Sequence, residues 1–191
     1  MNHLIIYAHP NPQSFNRAIL QQAVRASSDH QVTVRDLYSL NIHPNLAWQE
    51  FQDSLTGKYA AQIQTEHQYW QQADVITFIY PLWWMGFPAI LKGYLDRVLT
   101  YGFAYTNGET ESIGLLKGKK MQQFVTMGNS NQKYAGKGFL KSLDDTLGNG
   151  LFSFCGIENV KMHYLGDVGL KETDYAAILQ QVEQNCREML R

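Results

Sequence analysis

The hydrophobic period of this chain switches repeatedly between strand-like runs and helix-like spacing. His3 to Ala8 is a short apolar run of the kind that forms a strand buried on both faces. His9-Pro10-Asn11-Pro12-Gln13 then breaks it, because proline removes a donor and fixes φ. Ser14 is a good N-cap, and Phe15, Ala18, Ile19, Ala23 and Ala26 trace one face of a helix. Gln31 to Leu37 alternates as a strand with one more exposed face does. The pattern from Ser39 to Gln62 is weak and predicts loop and short helix, and Ile63 to Gln72 is predicted helical. Asp74 to Tyr80 predicts the central strand, and Pro88 suits the first position of a helix carrying Ile90, Leu91, Tyr94, Leu95, Val98 and Leu99. Gly102 to Gly118 is predicted as loop and Lys120 to Thr126 as strand. Leu140, Leu143, Leu147, Leu151 and Phe154 mark a long helix, Glu158 to Tyr164 a fifth strand, and Tyr175 to Met189 a closing helix.

Strands alternating with helices imply an α/β fold: a parallel sheet, doubly wound, with helices on both faces. Right-handed crossovers leave few topologies. No repeat, linker or low-complexity tract divides residues 1–191, so one domain is expected.

Composition narrows the function classes. At 45% hydrophobic and 13% aromatic residues, the chain can bury a substantial core and is not of disordered type. A formal charge of −1 argues against nucleic acid or an anionic membrane as the main partner. The first residues lack the basic region and apolar length of a signal peptide. The uncharged run from Val75 to Leu91 is interrupted by Pro81, Gly86 and Pro88, so membrane insertion is not expected. Cys155 and Cys186 suit neither a disulfide framework nor a metal site, which makes a cytoplasmic setting the default.

Three loops carry candidate chemistry. The first, from His9 to Asn16, opens a helix whose free N–H groups and positive dipole end suit an anion. It has neither the G-x-G-x-x-G nor the G-x-x-x-x-G-K glycine pattern, which leaves a phosphate held in another way, or simply a capped helix. The second, Pro81-Leu82-Trp83-Trp84-Met85-Gly86-Phe87, is apolar where loops are ordinarily polar, and so covers a flat cofactor ring, a partner chain or both. The third, Thr126 to Asn131 with Tyr134 beyond it, is small and polar. In a doubly wound sheet these loops converge at one edge, and the combination fits a phosphorylated planar cofactor such as flavin.

His9-Pro10, Ser14-Phe15-Asn16-x-Ala18, Ala73-Asp74, Pro81-Leu82-x-Trp84-x-Gly86-x-Pro88-Ala89-Ile90-Leu91-Lys92-Gly93, Arg97-Val98, Phe103-Ala104-Tyr105-Thr106 and Phe154-Cys155-Gly156 stand at matching spacing over nearly the whole chain. Together they resemble the NAD(P)H:quinone oxidoreductase family. This is the DT-diaphorase branch of flavodoxin-like flavoproteins, with the modulator-of-drug-activity reductases and the ancillary subunits of potassium-efflux channels.

The resemblance implies sheet order 2-1-3-4-5 and a homodimer with flavin near the subunit interface. It implies that His9, Ser14, Phe15 and Asn16 hold phosphate. Pro81, Leu82, Trp83, Trp84, Met85 and Gly86 would lie along the isoalloxazine, and Thr126, Met127, Gly128 and Asn129 would form the third flavin loop. Tyr134 would stand near the flavin N1/O2 edge, and Tyr105 would line the substrate slot, from the partner subunit. The implied reaction is ping-pong hydride transfer from NADH or NADPH to a quinone or similar flat acceptor. A regulatory subunit of a potassium-efflux transporter is the alternative.

Three departures from the family pattern bear on detail. Leu140 stands where animal members carry a histidine, and Asn107 replaces a tyrosine. His67 stands where the adenosine arm of FAD is expected to be held, and no arginine precedes Cys186 in the closing helix. His67 and the missing arginine together favour FMN, with FAD as the other option.

Overall fold

The computed structural model describes residues 1–191. In chain order the elements are β1 (Asn2–Tyr7), α1 (Phe15–Ala26), β2 (Gln31–Asp36), α2 (Trp48–Ser54), α3 (Ala61–Gln72), β3 (Val75–Pro81) and α4 (Ala89–Val98), with Pro88 as the N-cap of α4 rather than its first residue. There follow β4 (Tyr105–Asn107), β5 (Ser112–Gly114), β6 (Lys120–Thr126), α5 (Asn131–Gly136), α6 (Phe139–Leu143), a π-helical turn (Asp144–Gly150), α7 (Leu151–Phe154), β7 (Lys161–Leu165) and α8 (Tyr175–Met189). The main sheet runs β2-β1-β3-β6-β7 with every neighbour parallel, the flavodoxin-like order expected.

Side chains alternate across the sheet with the strand period of two. Leu4, Ile6, Phe78 and Tyr80 face α3, α4 and α7 through Trp70, Leu91, Tyr94 and Phe152. Ile5, Tyr7, Ile79 and Phe124 face α1 and α8 through Ile19, Ala23, Val182 and Cys186. The strand order reverses between β1 and β3, so their carboxyl ends open a crevice between crossovers that lie on opposite faces.

Two segments differ from the sequence expectation. Within Gly102–Gly118 the chain forms the antiparallel β4–β5 hairpin, with Tyr105 opposite Gly114. Strands of three residues are too short for an alternation to register. In the helical run from Phe139 to Phe154, the π turn shifts the inward face by about one residue. The buried positions are therefore Leu143, Gly148 and Phe152, and Phe154 points outward, 48% exposed.

A polar row crosses the buried sheet. Ser27 Oγ donates to the Ala23 carbonyl at 2.7 Å, so it accepts from His3 Nδ1–H at 2.9 Å. His3 Nε2 is then the acceptor for the Thr77 hydroxyl at 2.7 Å, and Thr77 Oγ1 accepts from Gln122 Nε2 at 3.1 Å. Burial holds His3 down at about 4, and likewise His163, whose ring stacks on Phe124 at 5.0 Å. A histidine whose folded pKa is depressed supports the fold above its ordinary value, and that support is lost as pH falls toward the folded value. The urea midpoint is therefore expected to hold above about pH 6.5 and decline toward pH 4, with His3 alone contributing up to roughly 3 kcal/mol. The variant His3→Leu, weaker at pH 7, should show a shallower decline; an unchanged slope would assign the acid sensitivity elsewhere.

Burial also pushes the Cys155 thiol up to about 11 and Cys186 to about 12, so neither is a ready nucleophile. No helix is long and apolar enough to cross a membrane.

Candidate functional site

The first loop is shaped by its own polar groups. Asn11 Oδ1 accepts from the Gln13 amide at 2.9 Å, and the Ser14 amide donates to the Asn11 carbonyl at 3.1 Å. The turn delivers Ser14 as the N-cap of α1, its hydroxyl accepting from the Arg17 amide at 3.2 Å and meeting the Tyr7 hydroxyl at 3.2 Å. First-turn N–H groups of a helix have no intrahelical acceptor and present positive potential. His9 Nδ1 accepts from the Asn11 amide at 3.1 Å, which leaves the proton of the neutral ring on Nε2. Burial holds this imidazole below the ordinary histidine range.

The second loop continues the sheet and then reverses sharply. Leu82 donates to the Thr126 carbonyl at 2.8 Å, and Trp83 and Gly86 exchange two backbone hydrogen bonds, of 3.3 and 3.0 Å. The central residues Trp84 (φ 52°) and Met85 (φ 60°) both lie in the left-handed region, as a type I′ turn requires. Neither is Gly, Asn or Asp, so the turn stores strain of about 1–3 kcal/mol per residue. Trp84 is fully exposed at 101%. Replacing Trp84-Met85 with Asn-Gly is expected to raise stability by about 1–2 kcal/mol in urea titrations. The same change should lower turnover with any acceptor that stacks beneath the loop. Unchanged turnover would make this loop a bystander.

The third loop is tied to β7 and to its following loop. Met127 donates to the Leu165 carbonyl at 2.9 Å, Val168 to the Met127 carbonyl at 3.0 Å, and Asp167 to the Asn129 carbonyl at 3.3 Å. Thr126 Oγ1 donates across to Asn16 Oδ1 at 2.8 Å.

Between the three loops lies a cleft of about 220 Å³ lined by His9, Ser14, Phe15, Asn16, Pro81, Leu82, Trp83, Thr126, Met127, Gly128 and Val168. The structure thus brings together ten of the residues read from the sequence, and Trp84, Met85, Gly86 and Asn129 stand outside the lining. Val168 joins the lining from a fourth loop, after the last strand, whose sequence signal is the Gly166-Asp167-Val168-Gly169 break.

Two features test whether a phosphorylated flavin fits. Asn16 lines the cleft, and its amide nitrogen is buried without a partner in the protein. Gly128 has no left-handed backbone that demands glycine, and a Cβ there meets no protein atom within 4 Å. A donor without an acceptor and a wall without a side chain fit a polar tail and a flat ring lying against backbone.

A family profile described as the flavodoxin-like fold matches residues 1–190. An uncharacterized NAD(P)H oxidoreductase of Haemophilus influenzae is 54% identical over 173 residues, covering 89% of this chain and 86% of its own. The solved NAD(P)H:quinone oxidoreductase of Methanothermobacter marburgensis is 30% identical at a TM-score of 0.86, with 98% of both chains covered. General stress protein 14 of Treponema denticola, solved in complex with FMN, is 26% identical at a TM-score of 0.64, covering 100% of this chain and 96% of its own. This chain belongs to the NAD(P)H:quinone oxidoreductase family of flavodoxin-like flavoproteins.

Three further residues that the family resemblance singled out fall elsewhere. Tyr134, in α5, accepts from Asn129 Nδ2 at 3.5 Å, and Lys133 Nζ donates to Asn129 Oδ1 at 3.2 Å. The Tyr134 ring packs edge-on to Phe139 at 5.7 Å. Tyr105 lines a second cleft of about 370 Å³ between α4, the β4–β5 hairpin and α7, its ring 4.9 Å from Phe154. His67 lies inside the core, stacked on Phe103 at 3.7 Å, with Nε2 2.9 Å from the Val98 carbonyl. Its ring is engaged within the core and is not part of the cleft lining.

Proposed function

We propose that this chain is a flavin-dependent NAD(P)H oxidoreductase that reduces quinones or similarly flat electrophilic acceptors, with FMN as cofactor. The observation that carries the reading is one cleft that joins the positive end of α1, the unpartnered Asn16 amide and the bare Gly128 backbone to an apolar wall. The Treponema protein's FMN supports the mononucleotide. When bound, the flavin supplies the redox chemistry, accepting hydride from NADH or NADPH and passing it to the acceptor.

The residues divide the remaining work. The α1 amides and the Asn16 amide would hold the phosphorylated tail, with the His9 Nε2–H beside them. Pro81, Leu82 and Trp83, held by the strained turn, would wall the ring edge, and Trp84 would cover the acceptor slot against water. Tyr134 takes its hydrogen bond on oxygen from Asn129, so its own O–H remains free to donate toward negative charge at the ring edge. The ammonium of Lys133 polarises that Asn129 amide, a support that does not need the family's histidine.

Tyr105 and Phe154 present aromatic surface on a separate cleft, which supports a homodimer in which one protomer completes its partner's slot. Sharing one slot between donor and acceptor predicts ping-pong kinetics. Parallel double-reciprocal lines for NAD(P)H and a quinone support the reading; converging lines, or no quinone-dependent oxidation, contradict it. Tyr134→Phe is expected to slow the NAD(P)H half-reaction about 10-fold or more in stopped flow. An unchanged rate removes Tyr134 from the chemistry.

A further inference from the structure

On the flavin reading above, we infer that Met85 is a modification site: hydrogen peroxide converts its thioether to the sulfoxide, and the change weakens use of the acceptor. Trp84 and Met85 hold the two left-handed positions of the turn between Trp83 and Gly86, at φ 52° and 60°. Asn-Gly would close the same turn with less strain. The chain instead keeps two large apolar side chains on an exposed tip, and strain of this kind points to a function for what the turn presents. A flat acceptor accounts for the indole of Trp84, since aromatic faces stack. Met85 adds an atom that stacking does not need, a sulfur that oxidises reversibly.

Exposure separates this methionine from the others. Of the chain's six, Met121, Met127 and Met189 are buried and Met162 packs against the core. Met85 is 41% exposed and Met1 45%, the latter ahead of β1 at the end of the sheet away from the cleft. Both cysteines are buried and their thiols are pushed up, so peroxide meets little thiolate. In the step, a sulfur lone pair takes one peroxide oxygen as the O–O bond breaks. Sulfur loses two electrons, and the other oxygen leaves as water with both protons. The product is a polar S=O where a thioether extended the apolar loop.

The test is peptide mass mapping of peroxide-treated protein, with the quinone KM read on the same samples loaded with FMN. One added oxygen is expected on Met85 and on Met1, and none on the buried methionines. With Met85 oxidised, KM should rise about fivefold and kcat hold within about twofold, as when an apolar contact made equally in ground and transition states is lost. Methionine sulfoxide reductase should restore the starting KM. Met85→Gln, polar and of similar length, should show the raised KM without peroxide. In Met85→Leu, peroxide should leave KM where that variant starts. Met85 left intact while Met1 is converted, an unchanged KM after Met85 is oxidised, or the same peroxide response in Met85→Leu would overturn the inference. A flavin spectrum taken before peroxide keeps the two readings apart: wild-type protein that takes up no FMN overturns the flavin reading, and the acceptor effect of Met85 with it.

Discussion

Gly128→Val is expected to fold as the parent chain does and to lose flavin affinity by on the order of 100-fold. Most glycines that tolerate no substitution are held by backbone: at Gly93 an added Cβ would lie 2.0 Å from the Pro44 carbonyl oxygen, and at Gly150 it would lie 2.1 Å from that of Asp145. Gly128 has no such neighbour and no left-handed φ. Gly128 lines the cleft and a Cβ there meets no protein atom, so the stripped protein should stay within about 0.5 kcal/mol of wild type in urea. Binding carries the whole effect, because atoms forced into a space that a ligand fills act as overpacking does. Equal loss of stability and affinity would mean that the glycine serves the fold. Unchanged affinity would mean that the ring lies elsewhere.

Glu66→Ala should have the largest effect on stability. Glu66 is fully buried in α3 and receives Arg35 Nε on both carboxylate oxygens at 3.1 Å and the Tyr94 hydroxyl at 3.0 Å. Tyr94 in turn accepts from Trp70 Nε1 at 2.8 Å. Such a pair contributes little net stability against an apolar replacement of both partners, but removing one partner strands the other charge. The expected cost is about 3–5 kcal/mol, or roughly 10 °C in Tm. Glu66→Gln, which keeps the shape and one acceptor, should lose less. A fall of only about 2 °C would show that Arg35 finds water when left alone. The network lies apart from the cleft lining, so the folded fraction should bind flavin normally.

The sheet is legible because β1 and β3 are short apolar runs broken by proline and β2 alternates apolar and polar positions. The convergence of three loops follows from the order alone. In the helical run after α5 the leucine spacing fails as a guide because it assumes a constant turn, and a π turn moves the inward set to Leu143, Gly148 and Phe152. That shift puts Phe154 outside, beside Tyr105. The I′ turn was hidden because Trp84-Met85 carries none of the Asn-Gly chemistry that announces one. Val168 and the Thr126–Asn16 bond were invisible because they depend on which loops touch, something no local pattern encodes.

The most direct test of the central claim is a visible absorption spectrum of the purified protein with FMN, recorded without oxygen before and after NAD(P)H and then after a quinone. Flavin bands that travel with the protein, bleach on NAD(P)H and return with the quinone are the result predicted. A protein that stays colourless and leaves FMN free in solution would contradict it, and the apolar loop at Trp83–Met85 would then need a different occupant.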